Sequence, residues 1–217
     1  MLNKTQKGFT LVEIAIVLVI VGLLIGGILK GHEVITNAKL KRIESDRAGI
    51  TAAVFSYQDR YLQLPGDDSD ADSRFDLYSD TSNQGDGNGL ISGSWTPVAV
   101  LNTAPTVETG MFWRHLRAAG LVPGGGTDAT QPANAYGGPI GVRDGALGIA
   151  GHVIIFGQIE GSIAKILEAR LDDGSPATGR VQAGQSTGTA VDMDAETATG
   201  SQSYVDDERY SIAFRLL

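Results

Sequence analysis

An uninterrupted apolar segment near the N-terminus constrains this chain more than any other feature. The segment runs from Phe9 to Leu29, and its 21 residues include one charged side chain, Glu13. At 1.5 Å per residue, a helix of this length covers about 30 Å, roughly the hydrocarbon thickness of a bilayer. The segment therefore predicts a membrane-crossing helix. Glu13 needs its own explanation, because a carboxylate inside a bilayer is costly and is tolerated best near the end of a span.

Two ordinary interpretations explain part of this segment. A secretory signal peptide also begins with basic residues, as Lys4 and Lys7 do here, but its apolar core is shorter and a small-residue cleavage site follows it. In this chain GGILKGHEV follows the apolar run, and it contains no such site. A plain single-pass anchor fits the length of the segment but leaves Glu13 unexplained.

A third interpretation uses all of these residues. KGFTLVEIAIVLVIVGLL resembles the class III signal of type IV pilins and the related pseudopilins. The resemblance implies that Gly8 precedes the bond that is cleaved and that Phe9 becomes the N-methylated N-terminus. Glu13 would then be the acid at the fifth position of the mature chain, which in this family is thought to pair with the N-terminal amine of a neighbouring subunit. Such a partner makes a buried carboxylate tolerable.

The resemblance also implies partners and a location. The partners would be the same or related pilins in a helical filament, a prepilin peptidase and methyltransferase, and an assembly platform in the inner membrane. We expect a single-pass protein of the bacterial inner membrane with its head outside the cytoplasm, and later a periplasmic or extracellular filament. Basic residues do not fix this orientation, because they flank the apolar segment on both sides.

The chain continues beyond Lys30 with an amphipathic helical pattern. Apolar residues recur at intervals of seven, four and three, as expected for one helix face. The pattern stops at Leu64-Pro65-Gly66, where Pro disfavours a helical conformation of the residue before it. It predicts one helix from about Phe9 to Leu62, roughly 80 Å long. The alternative is two helices separated near Gly26-Gly27 or Gly31. The residues of the predicted face are Ile43, Ile50, Val54, Tyr57, Tyr61 and Leu64.

The rest of the chain predicts an α+β head. We expect the long spine helix to pack against a small, mainly antiparallel β-sheet with short helices and long loops. The domains would be a leader at 1–8, a membrane and assembly part at 9–29, an amphipathic part at 30–64 and a globular head at 65–217. Helices are predicted at Thr109–Ala119 and Ser162–Leu171, strands at His152–Ile159 and Arg209–Leu216, and loops or short strands at 122–148 and 172–206.

Composition limits the functions of the head. Beyond residue 60 the chain carries nine Lys or Arg residues against twenty Asp or Glu residues. This balance makes nucleic-acid binding an unlikely task, since phosphate recognition needs clustered Lys and Arg. The chain has no cysteine. A head outside the cytoplasm would therefore be held by its core, or by something else such as a metal ion, and not by disulfides.

The head contains one pattern that is typical of hydrolases. GQSTG at 184–188 fits the G-x-S-x-G nucleophile pattern, but that chemistry requires a strand before Ser186 and a histidine after it. The three histidines all precede Ser186, and their spacing does not indicate zinc. The sequence therefore predicts no enzyme. The alternative to a structural subunit is a membrane-tethered enzyme or ligand-binding domain of the cell envelope.

A calcium site is the one cofactor that the sequence suggests, and the resemblance requires none. The stretch DTSNQGDGNGLI at 80–91 places carboxylate and amide oxygens in a glycine-rich loop, and these are the ligands that Ca²⁺ prefers. Asp86 and Asn88 are the candidate ligands. The match to an EF-hand loop is incomplete, because Gln84 and Trp95 occupy the first and twelfth positions. The alternative is an Asx-rich turn exposed to water.

Overall fold

A computed structural model describes residues 9–75, 84–94, 107–185 and 204–216. The chain divides into two units, Met1–Lys41 and Arg42–Leu217. The first unit contains the N-terminal part of a long helix, and the second contains the remainder of that helix and the head. We describe each unit by itself.

Helix α1 extends from Leu11 to Tyr61 without interruption, over 51 residues. It passes through Gly26, Gly27 and Gly31 as regular helix, so the single-helix prediction is confirmed and the chain is not divided into two helices there. From Leu11 to Leu29 the large apolar side chains of α1 are exposed. The apolar segment ends at an ion pair between Lys30 Nζ and Glu33 Oε2, which are 2.7 Å apart.

Helix α1 ends one residue before the predicted boundary because the backbone reverses its handedness there. Leu62 adopts a left-handed conformation with φ of 56°, and its N–H still donates to the carbonyl oxygen of Gln58 at 2.8 Å. Pro65 and Gly66 then turn the chain. Gly66 has φ of 94°, and a Cβ at this position would lie 2.7 Å from the carbonyl oxygen of Glu108. Only glycine fits this close approach.

The head is built on one four-stranded antiparallel sheet. Its strands are β1 (Ile140–Ala146), β2 (Ile149–Glu160), β3 (Val181–Gln185) and β4 (Arg209–Arg215), in the spatial order β1-β2-β4-β3. In the described part of the head three helices accompany the sheet: α2 (Ala71–Phe75), α3 (Glu108–Ala118) and α4 (Gly161–Leu171). The predicted α+β class is confirmed, and β1 and β3 lie in the two segments for which loops or short strands were expected.

The amphipathic face of α1 packs into the head as predicted. Five of its six predicted residues are buried, and Tyr61 is half-buried. The guanidinium of Arg47 lies 5.9 Å from the ring centre of Phe214 on β4, which in turn makes an edge-to-face contact with Phe156 on β2. The second half of α1 thus covers one face of the sheet. Buried side chains of the other face form a separate cluster: Ala146, Leu147, Ile149, Val153, Ile155 and Ala213.

Replacement of Gly66 by Ala tests the close approach between the end of α1 and α3. Gly66→Ala should lower the free energy of unfolding by about 1–3 kcal/mol more than Gly120→Ala does, because the added methyl group meets the Glu108 carbonyl. Gly120 is a matched control, since it also has a positive φ, 69°, but has open space around it. Urea unfolding of the two variants measures the difference. Equal losses would show that the approach is not close.

Candidate functional site

The N-terminal turn of α1 holds Glu13 through its own chain. The Glu13 carboxylate accepts hydrogen bonds from the backbone N–H and the hydroxyl of Thr10, both at 2.8 Å and both at Oε2. The N–H of Glu13 donates to Thr10 Oγ1 at 3.3 Å. Thr10 stands immediately before the helix and Glu13 is its third residue, so the pair is a reciprocal capping box.

This cap gives Glu13 a structural role that the sequence analysis missed. The signal was present, because Thr-Leu-Val-Glu before an apolar run has the spacing of a capping box. The cap occupies Oε2. Among the residues that the structure describes, Oε1 of Glu13 has no hydrogen-bond donor within the chain. Phe9 is 84% exposed, and Gly8 lies outside the described residues.

The large apolar side chains from Leu11 to Leu29 are not buried by any of the residues that the structure describes. Of the described helices, α1 is the one that is long and apolar enough to cross a membrane, and none of its most apolar 18-residue window is buried. Burial of apolar surface contributes about 25 cal/mol per Å². A continuous exposed stripe of this size marks a surface that associates with a membrane or with other proteins.

A cluster of carboxylates lies in the head, around the loop formed by residues 84–94. Asp67 and Glu108 are buried, and their carboxylates accept hydrogen bonds from the backbone of this loop. Asp67 Oδ1 accepts from the N–H groups of Gly87 at 2.7 Å and Asn88 at 3.1 Å, and its Oδ2 accepts from Gly89 at 2.7 Å. We call residues 84–94 the acid-anchored loop.

Glu108 holds the same loop from the first turn of α3. Its Oε1 accepts from the N–H of Asp86 at 3.1 Å, and its Oε2 accepts from the N–H and the hydroxyl of Ser92 at 2.8 and 2.6 Å. Burial raises the pKa of Asp67 above its usual range, and the nearby Glu108 carboxyl adds to this effect. The N–H groups of Gly89 and Gly87 act in the opposite direction.

The structure places the predicted ligands Asp86 and Asn88 at the surface of this loop. The carboxylates of Asp67, Asp86 and Glu108 bring one oxygen each to within 4.8 Å of one another, so Asp86 gains two neighbours that the sequence did not indicate. Asn88 Nδ2 donates to Asp86 Oδ2 at 2.7 Å, and Asn88 Oδ1 accepts from the N–H of Leu90. These are bonds of an Asx-rich turn. Calcium binding by Asp86 and Asn88 stays a prediction.

Two of the histidines that were considered for catalysis or zinc binding lie beside polar groups of the head. Buried His115 on α3 accepts a hydrogen bond at Nδ1 from the N–H of Gly66 at 2.9 Å. On β2, Nδ1 of half-buried His152 lies 3.4 Å from Asp144 Oδ1. Ser186 lies outside the described residues.

Comparison with known proteins concerns mainly the N-terminal segment. Residues 3–29 match the family described as "Prokaryotic N-terminal methylation motif". The chain is similar in structure to the major type IV pilin PilA1 from Clostridium difficile, with a TM-score of 0.39 and 14% identity over 84% of this chain and 97% of that chain. A comparison with curated proteins found no match to this chain.

The matched residues contain every residue on which the N-terminal resemblance depends. They include Gly8, Phe9 and Glu13, together with the apolar segment. The chain therefore carries a prepilin-type N-terminal methylation motif, and that prediction is confirmed.

Substitution of Asp67 tests whether the acid-anchored loop depends on its buried carboxylate. Asp67→Ala should lower the free energy of unfolding by about 1–3 kcal/mol, because the N–H of Gly89 loses its acceptor. The N–H groups of Gly87 and Asn88 each keep a second acceptor, the backbone carbonyl oxygen of residue 67 and Asp86 Oδ1. Asp86→Ala, at the exposed surface of the loop, should change it by about 0.5 kcal/mol or less. Urea unfolding in EDTA measures both variants, and equal effects would contradict the anchoring role of Asp67.

Proposed function

We propose that this chain is a structural subunit of a type IV pilus or of a type II secretion-type filament. A prepilin peptidase would cleave it between Gly8 and Phe9, and Phe9 would be N-methylated. The mature chain would then polymerise through the N-terminal part of α1. The observation that carries this proposal is the methylation motif at residues 3–29, with an acid five residues into the mature chain and an exposed apolar helix behind it.

The geometry at Glu13 supports a role in assembly. Thr10 engages only Oε2 of the carboxylate, so Oε1 remains for a cation that another chain would bring. Cleavage before Phe9 would create such a cation, the new N-terminal amine. In an apolar filament core, pairing of this amine with Glu13 of a neighbour would compensate the charges of both groups. One carboxylate on a long apolar helix would also set the axial register between subunits, since sliding would leave it unpaired.

The exposed apolar surface of α1 would be buried in two different environments, first in a membrane and then in a filament. Before assembly it would lie in the inner membrane, with the head outside the cytoplasm. In a filament the same surface would pack against the helices of neighbouring subunits. Partners would be the same or related pilins, the processing peptidase and methyltransferase, and an inner-membrane assembly platform. Prepilin-type motifs are typical of structural subunits, so we propose no catalytic activity for the head.

Three substitutions distinguish the local cap from pairing between subunits. Glu13→Gln keeps a side chain that can complete a capping box but removes the charge. Thr10→Ala removes the side-chain cap and keeps the carboxylate. We expect Glu13→Gln and Glu13→Ala to insert into the membrane and to reduce filament incorporation at least tenfold, and Thr10→Ala to assemble. Sedimentation of sheared filaments, with immunoblotting of membranes and filaments, measures incorporation.

The alternative function makes a different prediction for the same variants. A membrane-tethered enzyme or ligand-binding domain would need α1 only as an anchor, so none of the three substitutions would affect its behaviour. Unchanged filament incorporation of Glu13→Gln would contradict the proposed pairing. Loss of incorporation in Thr10→Ala, with Glu13→Gln intact, would assign Glu13 to helix capping alone.

A further inference from the structure

A second group of carboxylates lies at the end of α4, away from the acid-anchored loop. Glu168 lies in the last turns of α4, Asp172 caps the helix and Asp173 follows. One carboxylate oxygen from each residue lies within 4.8 Å of the other two. Glu168 and Asp172 are four residues apart and therefore lie on the same helix face. Because Glu168 is buried and Asp173 is exposed, the group is closed at one end and open to solvent at the other.

Glu168 lacks part of the hydrogen bonding that a buried carboxylate needs. The residue is 0% exposed, and its Oε2 accepts a hydrogen bond from the Tyr204 hydroxyl at 3.2 Å. Its Oε1 is buried and has no hydrogen-bond partner among the residues that the structure describes. Burial raises the pKa of Glu168 to about 8, and the charges of Asp172 and Asp173 add to this effect. A buried carboxylate in this position requires a positive partner or a proton.

We propose that Glu168, Asp172 and Asp173 bind a calcium ion. Three carboxylates with no histidine or cysteine form a set of hard oxygen donors, which suits Ca²⁺ or Mg²⁺ better than a transition metal. Ca²⁺ accepts irregular sets of six to eight oxygens, whereas Mg²⁺ demands a near-ideal octahedron. Consecutive Asp residues at the junction of a helix and a loop offer an irregular arrangement. The ion would provide the partner that Glu168 Oε1 lacks.

The loop between α4 and β3 holds the two aspartates at this position. Asp172 Oδ2 accepts hydrogen bonds from the N–H groups of Arg180 and Val181, the latter at 2.7 Å. Asp173 accepts from the N–H of Ser175 at 2.9 Å and the hydroxyl of Thr178 at 2.7 Å. An ion bound to Glu168 and both aspartates would therefore connect α4 to the start of β3. This connection would strengthen a head that has no disulfide.

Calcium titration of the full-length chain tests the site. The protein, freed of metal with EDTA and held in a non-ionic detergent, is titrated with Ca²⁺ by isothermal calorimetry, and its melting temperature is recorded with and without Ca²⁺. We expect saturable binding and a higher melting temperature with Ca²⁺. Mg²⁺ at the same concentration should have a smaller effect.

Two variants and two controls assign the binding to these residues. Glu168→Gln keeps the shape of the side chain, and Asp173→Asn changes an exposed residue, so both should fold. Each should weaken Ca²⁺ binding at least tenfold and remove the rise in melting temperature. Glu160→Gln removes one charge at the other end of α4, where the side chain makes no capping hydrogen bond, and Asp86→Asn alters the acid-anchored loop. Both controls should bind Ca²⁺ as the unmodified chain does.

Three results would overturn the proposal: no Ca²⁺ binding by the unmodified chain, binding unchanged in both Glu168→Gln and Asp173→Asn, or binding lost in Asp86→Asn alone. The last result would place calcium at the acid-anchored loop instead. None of these outcomes bears on N-terminal processing or on Glu13, so the calcium site and the filament function fail independently.

Discussion

The N-terminal part of α1 exposes more apolar surface than the described residues of this chain cover, and the rest of the structure depends on this constraint. From Phe9 to Leu29 the chain exposes a continuous apolar surface, and none of its most apolar 18-residue window is buried among the described residues. Such a surface is stable only in lipid or against other helices. A single charged group, Glu13, interrupts it near the end. The apolar surface favours association with lipid or with other helices but does not fix how the helices align. The charge of Glu13 can fix their alignment along the helix axis. The filament subunit that we propose, which would leave a membrane to enter a filament, needs both.

Buried acids perform in the head the connecting role that disulfides have in many exported domains. Asp67 and Glu108 collect the backbone N–H groups of the acid-anchored loop. Asp68 accepts a hydrogen bond from the hydroxyl of Tyr57 on α1 at 2.6 Å and pairs with Arg74 at 3.0 Å. The bonds of Asp67 and Glu108 join residues that are 16 to 22 positions apart, and the Tyr57 bond ties α1 to the residues that follow it. Several of the acidic residues of the head thus have a structural role. The same acidic composition argues against nucleic-acid binding.

The elements with strong periodicity could be predicted from the sequence, and those made by long-range contacts could not. The face from Ile43 to Leu64 followed from apolar spacing, and the strand around Phe156 followed from a run of β-branched and apolar residues. The sequence left β1 undecided between a loop and a short strand, because Gly141 and Gly145 weaken its pattern, and pairing with β2 makes it a strand. At the candidate sites the sequence proposed Gly8, Phe9, Glu13, Asp86 and Asn88, and their roles stay predictions. It did not indicate Asp67 or Glu108, which reach the loop from 16 to 22 residues away, or Glu168, whose burial depends on the packing of α4.

The mature N-terminus is the most direct test of the central claim, that this chain is a processed building block and not an anchored enzyme. Mass spectrometry of the protein isolated from its native membranes or filaments would identify that terminus. The account predicts a chain that begins at N-methylated Phe9, with residues 1–8 absent. An intact Met1, or cleavage at any bond other than the one between Gly8 and Phe9, would contradict it.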